Sequence, residues 1–152
     1  MPAGACRSSG IGVGPRVGSR TARGRLDDFE TRRLNHDASF SITRDEIVKR
    51  NPVDTWQVLT NIAGVTIAVR DLNVVATSRR AVVQNFGNAP CFLKVIVDGV
   101  LMNPSGSFDL SRLPQPDEIH GIEVFSGPAR VPPQYAGSGD GKWCGLIFVW
   151  TR

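Results

Sequence analysis

Cysteine and histidine are the side chains of this 152-residue chain whose chemistry depends most directly on spacing. A zinc site usually contains pairs such as C-x-x-C or a matching histidine pair, because two ligands on one short turn hold the ion together. The three cysteines are Cys6, Cys91 and Cys144, and the two histidines are His36 and His120. None of them forms such a pair, so the sequence predicts no metal site.

Two of the cysteines, Cys91 and Cys144, each stand at the start of a predicted strand. Cysteines that enter two strands of one small sheet can lie opposite each other at bridging distance. In an oxidising compartment we expect a disulfide that closes a loop of about fifty residues and contributes roughly 3–4 kcal/mol in the chain-entropy model. The alternative is two buried free thiols, and the sequence leaves both open.

Patterns for nucleophilic or phosphate chemistry are absent from the chain. Neither G-x-S-x-G nor S-x-x-K occurs. Residues 137–143, "GSGDGKW", lack the Ser or Thr that follows the lysine of a phosphate loop, and a strand comes next instead of a helix. The acidic residues Asp117, Glu118 and Glu123 are typical of a solvated strand edge. The sequence therefore predicts no catalytic residue, no enzyme activity and no cofactor.

Charge is distributed unevenly along the chain. The net charge is +4 and the pI is about 9.4. Residues 1–25 contain five arginines and no acidic residue, which leaves 13 of the 18 basic residues against all 14 acidic ones. A nucleic-acid-binding domain carries its basic residues on the folded face, whereas here the body is close to neutral. No nucleic-acid partner is predicted, and no apolar run approaches the ~20 residues of a transmembrane helix.

The elements that position these residues can be predicted from local signals. Residues 1–25 are rich in Gly, Ser and Arg and predict a disordered arm, and residues 26–40 predict an extended lead-in. Thr43 and Glu46 form the sequence pattern of a capping box, which predicts a helix that ends before Pro52. A second short helix follows Asp54, which is a favourable cap.

Strands are predicted mostly in the rear half of the chain. Residues 65–69, 93–97, 122–125 and 146–151 are rich in β-branched and apolar side chains. Asp98 and Gly99 separate two apolar runs and predict a two-residue hairpin turn, because both tolerate positive φ. The predicted fold is α+β (mixed α/β), with a single small mixed sheet of four to five strands and two short helices.

Five segments in order resemble the plug domain of TonB-dependent outer-membrane receptors. They are "VLTNIAGVTIAV" (58–69), "SRR" (78–80), "LKVIVDGVLMN" (93–103), "PDEIHGIEVFSGP" (116–128) and "QYAGSGDGKWCGLIFVWTR" (134–152). The resemblance implies a plug-like domain at residues 41–152. Ala63 stands where the family usually has proline. The Cys144-Gly145 pair, with Cys91 as its partner, resembles a plug-like subgroup that often follows a carboxypeptidase-regulatory-like β-domain.

In that family the plug fills the lumen of a barrel and its apical loops contact the substrate. The resemblance therefore implies a binding or gating module of the cell outer membrane or periplasm, associated with uptake of a substrate. The expected partners are an outer-membrane barrel or other envelope protein and a small-molecule ligand. The chain has no residues left for a barrel, so we do not expect it to transport alone. The alternatives are a truncated fragment of a receptor and a periplasmic ligand-binding module unrelated to transport.

Ligand contacts are expected on loops that a rigid sheet supports. The Asp98-Gly99 turn and the loop after it are expected to form apices at one end of the sheet. Arginine and tyrosine combine hydrogen bonding with apolar area at modest entropy cost. The predicted ligand-binding residues are therefore Asn103 and Phe108 after the hairpin and Arg130, Gln134 and Tyr135 in the long loop. The alternative is that these side chains pack the loops onto the sheet.

Overall fold

The computed structural model describes residues 22–82, 90–135 and 143–152. Two α-helices and eight strands occur within these ranges: α1 (Ala22–Leu34), β1 (Phe40–Thr43), α2 (Arg44–Arg50), β2 (Val65–Arg70), β3 (Asn73–Val82), β4 (Pro90–Phe92), β5 (Lys94–Val97), β6 (Val100–Leu101), β7 (Ile119–Phe125) and β8 (Leu146–Thr151). Short 3₁₀ helices cover Thr55–Leu59, Leu110–Arg112, Pro116–Glu118 and Pro128–Arg130. The predicted α+β class is confirmed.

The strands form two sheets, so the prediction of a single sheet is wrong. The larger sheet has the order β1-β7-β8-β5-β6, and the smaller one has the order β2-β3-β4. In the larger sheet β5 and β8 run parallel and the other neighbours are antiparallel. The long strand β3 pairs with β2 and β4 and does not join the larger sheet. The composition of a segment indicates that it is extended, but which strands pair depends on packing between residues far apart in the sequence.

The extended lead-in predicted at residues 26–40 is also wrong for most of its length, because α1 occupies Ala22–Leu34. Only β1, from Phe40, is extended there. Leu26 and Phe29, three residues apart, both pack against the sheet. The helix carries too few apolar residues for its period to be recognised in the sequence, and its packing on the sheet stabilises it. Most of the predicted disordered arm lies outside the described residues, and residues 22–25 are helical.

Local capping signals are confirmed. The Glu46 N–H donates to Thr43 Oγ1 (3.4 Å) and the Thr43 N–H donates to Glu46 Oε2 (2.8 Å) at the start of α2. Asn51 ends this helix with φ of 45°. The second predicted helix is a 3₁₀ helix of five residues after Asp54, whose N–H donates to Gln57 Oε1 at 3.4 Å.

The predicted hairpin turn joins β5 to β6. Asp98 has φ of 49° and Gly99 has φ of 93°, so both residues adopt the positive φ that this turn requires. The Asp98 carboxylate accepts hydrogen bonds from the N–H and the hydroxyl of Thr151. The turn is thereby tied to the end of β8.

The larger sheet is buried on both faces. Its core face carries Ile122 and Val124 of β7 and Ile147 and Val149 of β8, which pack against α2 and the smaller sheet. Its other face, here called the α1 face, carries Glu123 of β7 and Leu146, Phe148 and Trp150 of β8. Because side chains alternate along a strand, neighbouring residues of β8 belong to different clusters.

A disulfide between Cys91 and Cys144 confirms the predicted pairing, and the free-thiol alternative is wrong. Their Cα atoms are 5.8 Å apart and 53 positions separate them in sequence. The bond connects β4 of the smaller sheet to the segment that leads into β8 of the larger sheet. It therefore fixes one sheet relative to the other.

Candidate functional site

The hairpin turn and the long loop lie at opposite ends of the larger sheet. Leu146, the first residue of β8, pairs with both Phe125, the last residue of β7, and Lys94, the first of β5. The loop after β7 therefore leaves at the end where β5 begins, and the Asp98-Gly99 turn is at the other end. Since Leu101 pairs with Ile96, the chain after β6 also returns toward the start of β5. The expectation of apices at one end is therefore wrong for the turn and the loop after it.

The five predicted ligand-binding residues do not form one cluster. Phe108 is half-buried and packs against the core-face cluster, whereas Tyr135 packs against the cluster on the α1 face. Arg130 and Gln134 are exposed on the segment that leads to Tyr135. The neighbouring glycine-rich loop at 136–142 lies outside the described residues. Arg130, Gln134 and Tyr135 share one segment, and Asn103 and Phe108 share the loop after β6.

Asn103 is buried, and its side-chain amide holds the backbone in place. Its Nδ2 donates to the carbonyls of Leu93 (3.1 Å) and Gly106 (3.0 Å), and its Oδ1 accepts from the Val95 N–H (2.8 Å). The nearby Lys94 ammonium is buried too, and donates to the Pro104 carbonyl (3.0 Å). The geometry of Asn103 thus agrees with the packing alternative.

Tyr135 lines a cleft of about 310 Å³ between α1 and the sheet. Its ring meets the Phe148 ring edge-on, with centroids 5.4 Å apart. The other lining residues come from α1, from the hairpin turn and from β8: Arg25, Asp28, Asp98, Gly99, Phe148 and Trp150. The cleft combines aromatic walls with charged groups of both signs, which suits a small polar ligand with an apolar part.

Glu123 lies below this cleft and is completely buried, not on the solvated edge that its sequence suggests. Both carboxylate oxygens accept hydrogen bonds from Arg32 at 2.9 Å, one from Nε and one from Nη2. Trp150 Nε1 donates to Oε2 at 2.7 Å. A bidentate arginine and an indole N–H together provide three donors to the buried carboxylate. No local signal marks this burial, because Glu123 alternates with Ile122 and Val124 and would face solvent if only one face of β7 were covered.

Arg32 fixes α1 on the sheet through its charge and its flat guanidinium group. The group lies 5.2 Å from the Trp150 ring centroid and 5.9 Å from that of Phe148. These two rings stack 4.1 Å apart at an interplanar angle of 10°. Burial by itself lowers the pKa of Arg32, but the hydrogen bond and negative charge of Glu123 outweigh it, so the pKa is raised. The guanidinium therefore stays charged at any practical pH.

A second anchor of α1 is Phe29, which is fully buried against Gly121 of β7. A Cβ atom built on Gly121 would lie 2.4 Å from the Phe29 ring, so glycine is required for this close approach. The Phe29 ring also meets the His120 ring edge-on, with centroids 5.6 Å apart. His120 Nε2 lies 3.4 Å from Glu30 Oε1. Both anchors hold α1 over β7 and β8.

No group of three or more metal-ligating side chains is present among the described residues. Within the same residues, no helix is long and apolar enough to cross a membrane.

Comparison with known proteins gives one family. The family model described as "TonB-dependent Receptor Plug Domain" matches residues 33–139 of the 152-residue chain. The match begins one residue after Arg32 and thus omits most of α1. It includes β1 to β7 and the cleft residue Tyr135. No curated protein matches the chain.

Proposed function

Because this chain belongs to the TonB-dependent receptor plug domain family, we propose that it is a plug-like binding or gating module of the bacterial outer membrane or periplasm. In this role it acts with an outer-membrane barrel or another envelope protein during uptake of a substrate. The observation that carries the proposal is the family match over residues 33–139, which includes seven of the eight described strands.

The disulfide supports an envelope location. Structural disulfides persist in oxidising compartments such as the bacterial periplasm and are rare in the cytosol. Cys91 and Cys144 connect the two sheets, so the oxidised form is the one in which both sheets are held together. A periplasmic setting thus matches the covalent structure of the domain.

The ligand contact that we propose is the cleft beside Tyr135. Of the predicted ligand-binding residues, Tyr135 lines this cleft, and the exposed Arg130 and Gln134 precede it on the same segment. Asn103 and Phe108 support other parts of the fold and are not included in this proposed contact. The cleft has rigid walls, because α1 is anchored by Arg32 and Phe29.

The test is to isolate the native chain from the envelope fraction of its own cells under non-reducing conditions. Proteins that co-purify are then identified by mass spectrometry. We expect an outer-membrane barrel protein to be enriched, and an intact mass that is lighter by the two hydrogens lost on disulfide formation. A chain found only in the cytosol with reduced cysteines would contradict the proposal.

The cleft is tested separately with the variant Tyr135→Ala and the matched variant Phe108→Ala, which removes an aromatic ring on the opposite face. Thermal unfolding is measured for both variants with and without an extract of small molecules from the envelope. We expect the extract to raise the melting temperature of the wild type and of Phe108→Ala, but not of Tyr135→Ala. Equal shifts in all three proteins would refute the cleft assignment.

A further inference from the structure

Among the described strands, β1 is an edge of the larger sheet and has β7 as its single neighbour. Its register with β7 aligns Phe40 with Val124 and Ile42 with Ile122. An edge strand presents main-chain N–H and C=O groups that can pair with another extended segment.

Main-chain geometry identifies Ser41 as the outward-facing residue. The Thr43 N–H donates to the Glu46 side chain at 2.8 Å, so it points away from β7. In an antiparallel pair, residues whose main-chain groups bond to the neighbour alternate with residues whose groups point outward. Ser41, two residues before Thr43, therefore directs its N–H and C=O to the open edge. Those of Phe40 and Ile42 face β7.

A groove of about 430 Å³ runs along this open edge. One wall is formed by Phe40, Ser41 and Ile42 of β1. The opposite wall is the segment of residues 57–62, which contributes Gln57, Thr60, Asn61 and Ile62. Glu46 and Arg50 of α2 also line the groove. The open edge of β1 thus faces residues 57–62 across the groove.

We propose that this groove binds an extended peptide segment of a partner protein, which adds to the larger sheet as a sixth strand beside β1. An extended backbone supplies both the acceptor and the donor that an N–H and a C=O pointing sideways from one residue of an edge strand require. The segment of residues 57–62 closes the groove on the side opposite β1. A second copy of the chain would bring its own copy of that wall against β1, so the isolated segment is the favoured occupant.

The groove also defines the side chains that such a segment needs. Ile42 is buried on the core face, and Phe40, on the same side of the strand, is 39% exposed. Ile62 lies on the opposite wall and is buried as well. A bound strand therefore places apolar side chains on the core-face side, next to Phe40. Its alternate side chains point toward the opposite face, beside Ser41, and are polar.

The probe is an acetylated and amidated pentapeptide of alternating threonine and valine, titrated into the full chain. Binding is measured by NMR shifts, and exchange of individual amide hydrogens is followed with and without the peptide. In the free protein we expect the Ser41 amide to exchange faster than the amides of Phe40 and Ile42. The peptide should slow exchange at Ser41 selectively.

Two variants at one position give the decisive comparison. Ser41→Pro removes the outward N–H, and proline is tolerated on an edge strand when its nitrogen faces solvent. We expect it to weaken peptide binding about five- to tenfold, since the loss of one hydrogen bond costs about 1–1.5 kcal/mol. Ser41→Ala keeps the N–H and should bind like the wild type.

A further control needs no variant and covers the case in which Ser41→Pro does not fold. The same peptide with methylated backbone nitrogens has lost its own donors and should not bind the wild-type chain. The proposal is overturned if the unmodified peptide fails to bind at millimolar concentration. It is equally overturned if the methylated peptide binds as well, if Ser41→Pro folds and keeps full affinity, or if the slowed amides belong to β2 or β6. None of these outcomes depends on the proposed plug function.

Discussion

The ion pair between Arg32 and Glu123 gives the strongest test of how α1 is held on the sheet. The carboxylate of Glu123 is fully buried and the side chain of Arg32 is 17% exposed. Replacing Arg32 with alanine removes two of the three hydrogen bonds described for the buried carboxylate and leaves the one from Trp150 Nε1. Breaking a buried pair by removing one partner typically costs 3–5 kcal/mol.

We expect Arg32→Ala to lower the free energy of unfolding by about 3 kcal/mol, at the low end of that range because part of Arg32 is exposed to water. Chemical denaturation in urea measures the effect. With a slope of about 1–3 kcal/mol per M for a small domain, the midpoint should fall by roughly 1–3 M. The loss of helical signal should accompany it, because α1 loses one of its two anchors.

The matched control is Arg33→Ala, one residue further along the same helix. Arg33 pairs with Glu30 at 2.7 Å, but both side chains are more than a third exposed (37% and 40%). An exposed pair contributes about 0–1 kcal/mol, so this variant should be close to the wild type. The reasoning is refuted if the two variants are destabilised equally. It is also refuted if Glu123→Ala restores no stability in the Arg32→Ala background.

Three further predictions concern other parts of the fold. Cys91→Ser should lower the free energy of unfolding by about 4 kcal/mol in the chain-entropy model. The wild type under reducing conditions should show the same loss in the urea denaturation assay. An unchanged midpoint would contradict the structural role of the bond. Gly121→Ala should lower the free energy of unfolding by about 1–3 kcal/mol, because the new methyl group would overlap the Phe29 ring. The double variant Gly121→Ala, Phe29→Leu should recover part of that loss, as measured by thermal unfolding. The pKa of Asp109 is lowered, chiefly by the hydrogen bond from the Ser111 side chain and then by those from the Val74 and Ser111 main-chain N–H groups. The ionised carboxylate therefore stabilises the fold at pH values above its ordinary pKa of 3.8. This stability is lost as the pH falls through the lowered pKa. The stability difference between the wild type and Asp109→Asn should shrink below that pH, and a difference independent of pH would refute the assignment.

The position of α1 gives the domain a feature that the family match does not include. The match starts at residue 33, whereas both anchors of the helix, Phe29 and Arg32, precede it. Yet these residues contact β7 and β8, the two central strands of the larger sheet. The aromatic face of β8 is therefore covered by a segment from outside the matched region.

Short-range signals explain which elements were predictable. The capping box at Thr43 and the Asp98-Gly99 turn depend on residues within a few positions of each other, and both are present as predicted. The strands at β2, β5, β7 and β8 follow from β-branched and apolar runs. The Cys91–Cys144 pairing is confirmed, but Cys91 lies inside β4 of the smaller sheet and Cys144 precedes β8 of the larger one, so the two cysteines do not enter strands of one sheet as expected.

The candidate site was less predictable, because its residues come from distant parts of the chain. Tyr135 was named from its loop, but the cleft that it lines needs Arg25 and Asp28 of α1 and the turn at Asp98. Asn103 was named for the same reason, yet its amide is used by the backbone of β5 and the loop after β6. Nothing local distinguishes an exposed loop asparagine from one that folds inward.

The family, the α+β class, the caps and the turn follow from the sequence, because each depends on neighbouring residues or on a pattern that runs in chain order. The sequence left the disulfide and two free thiols open, and the fold decided between them by bringing Cys91 and Cys144 together across 53 positions. Tertiary structure alone decided that the strands divide into two sheets and that a polar segment becomes α1. It also decided that Glu123 is buried beneath Arg32. The physical reason is that pairing and burial are settled between residues far apart in sequence: Arg32 and Glu123 are 91 positions apart. The free energy that holds α1 in place comes from the sheet beneath it.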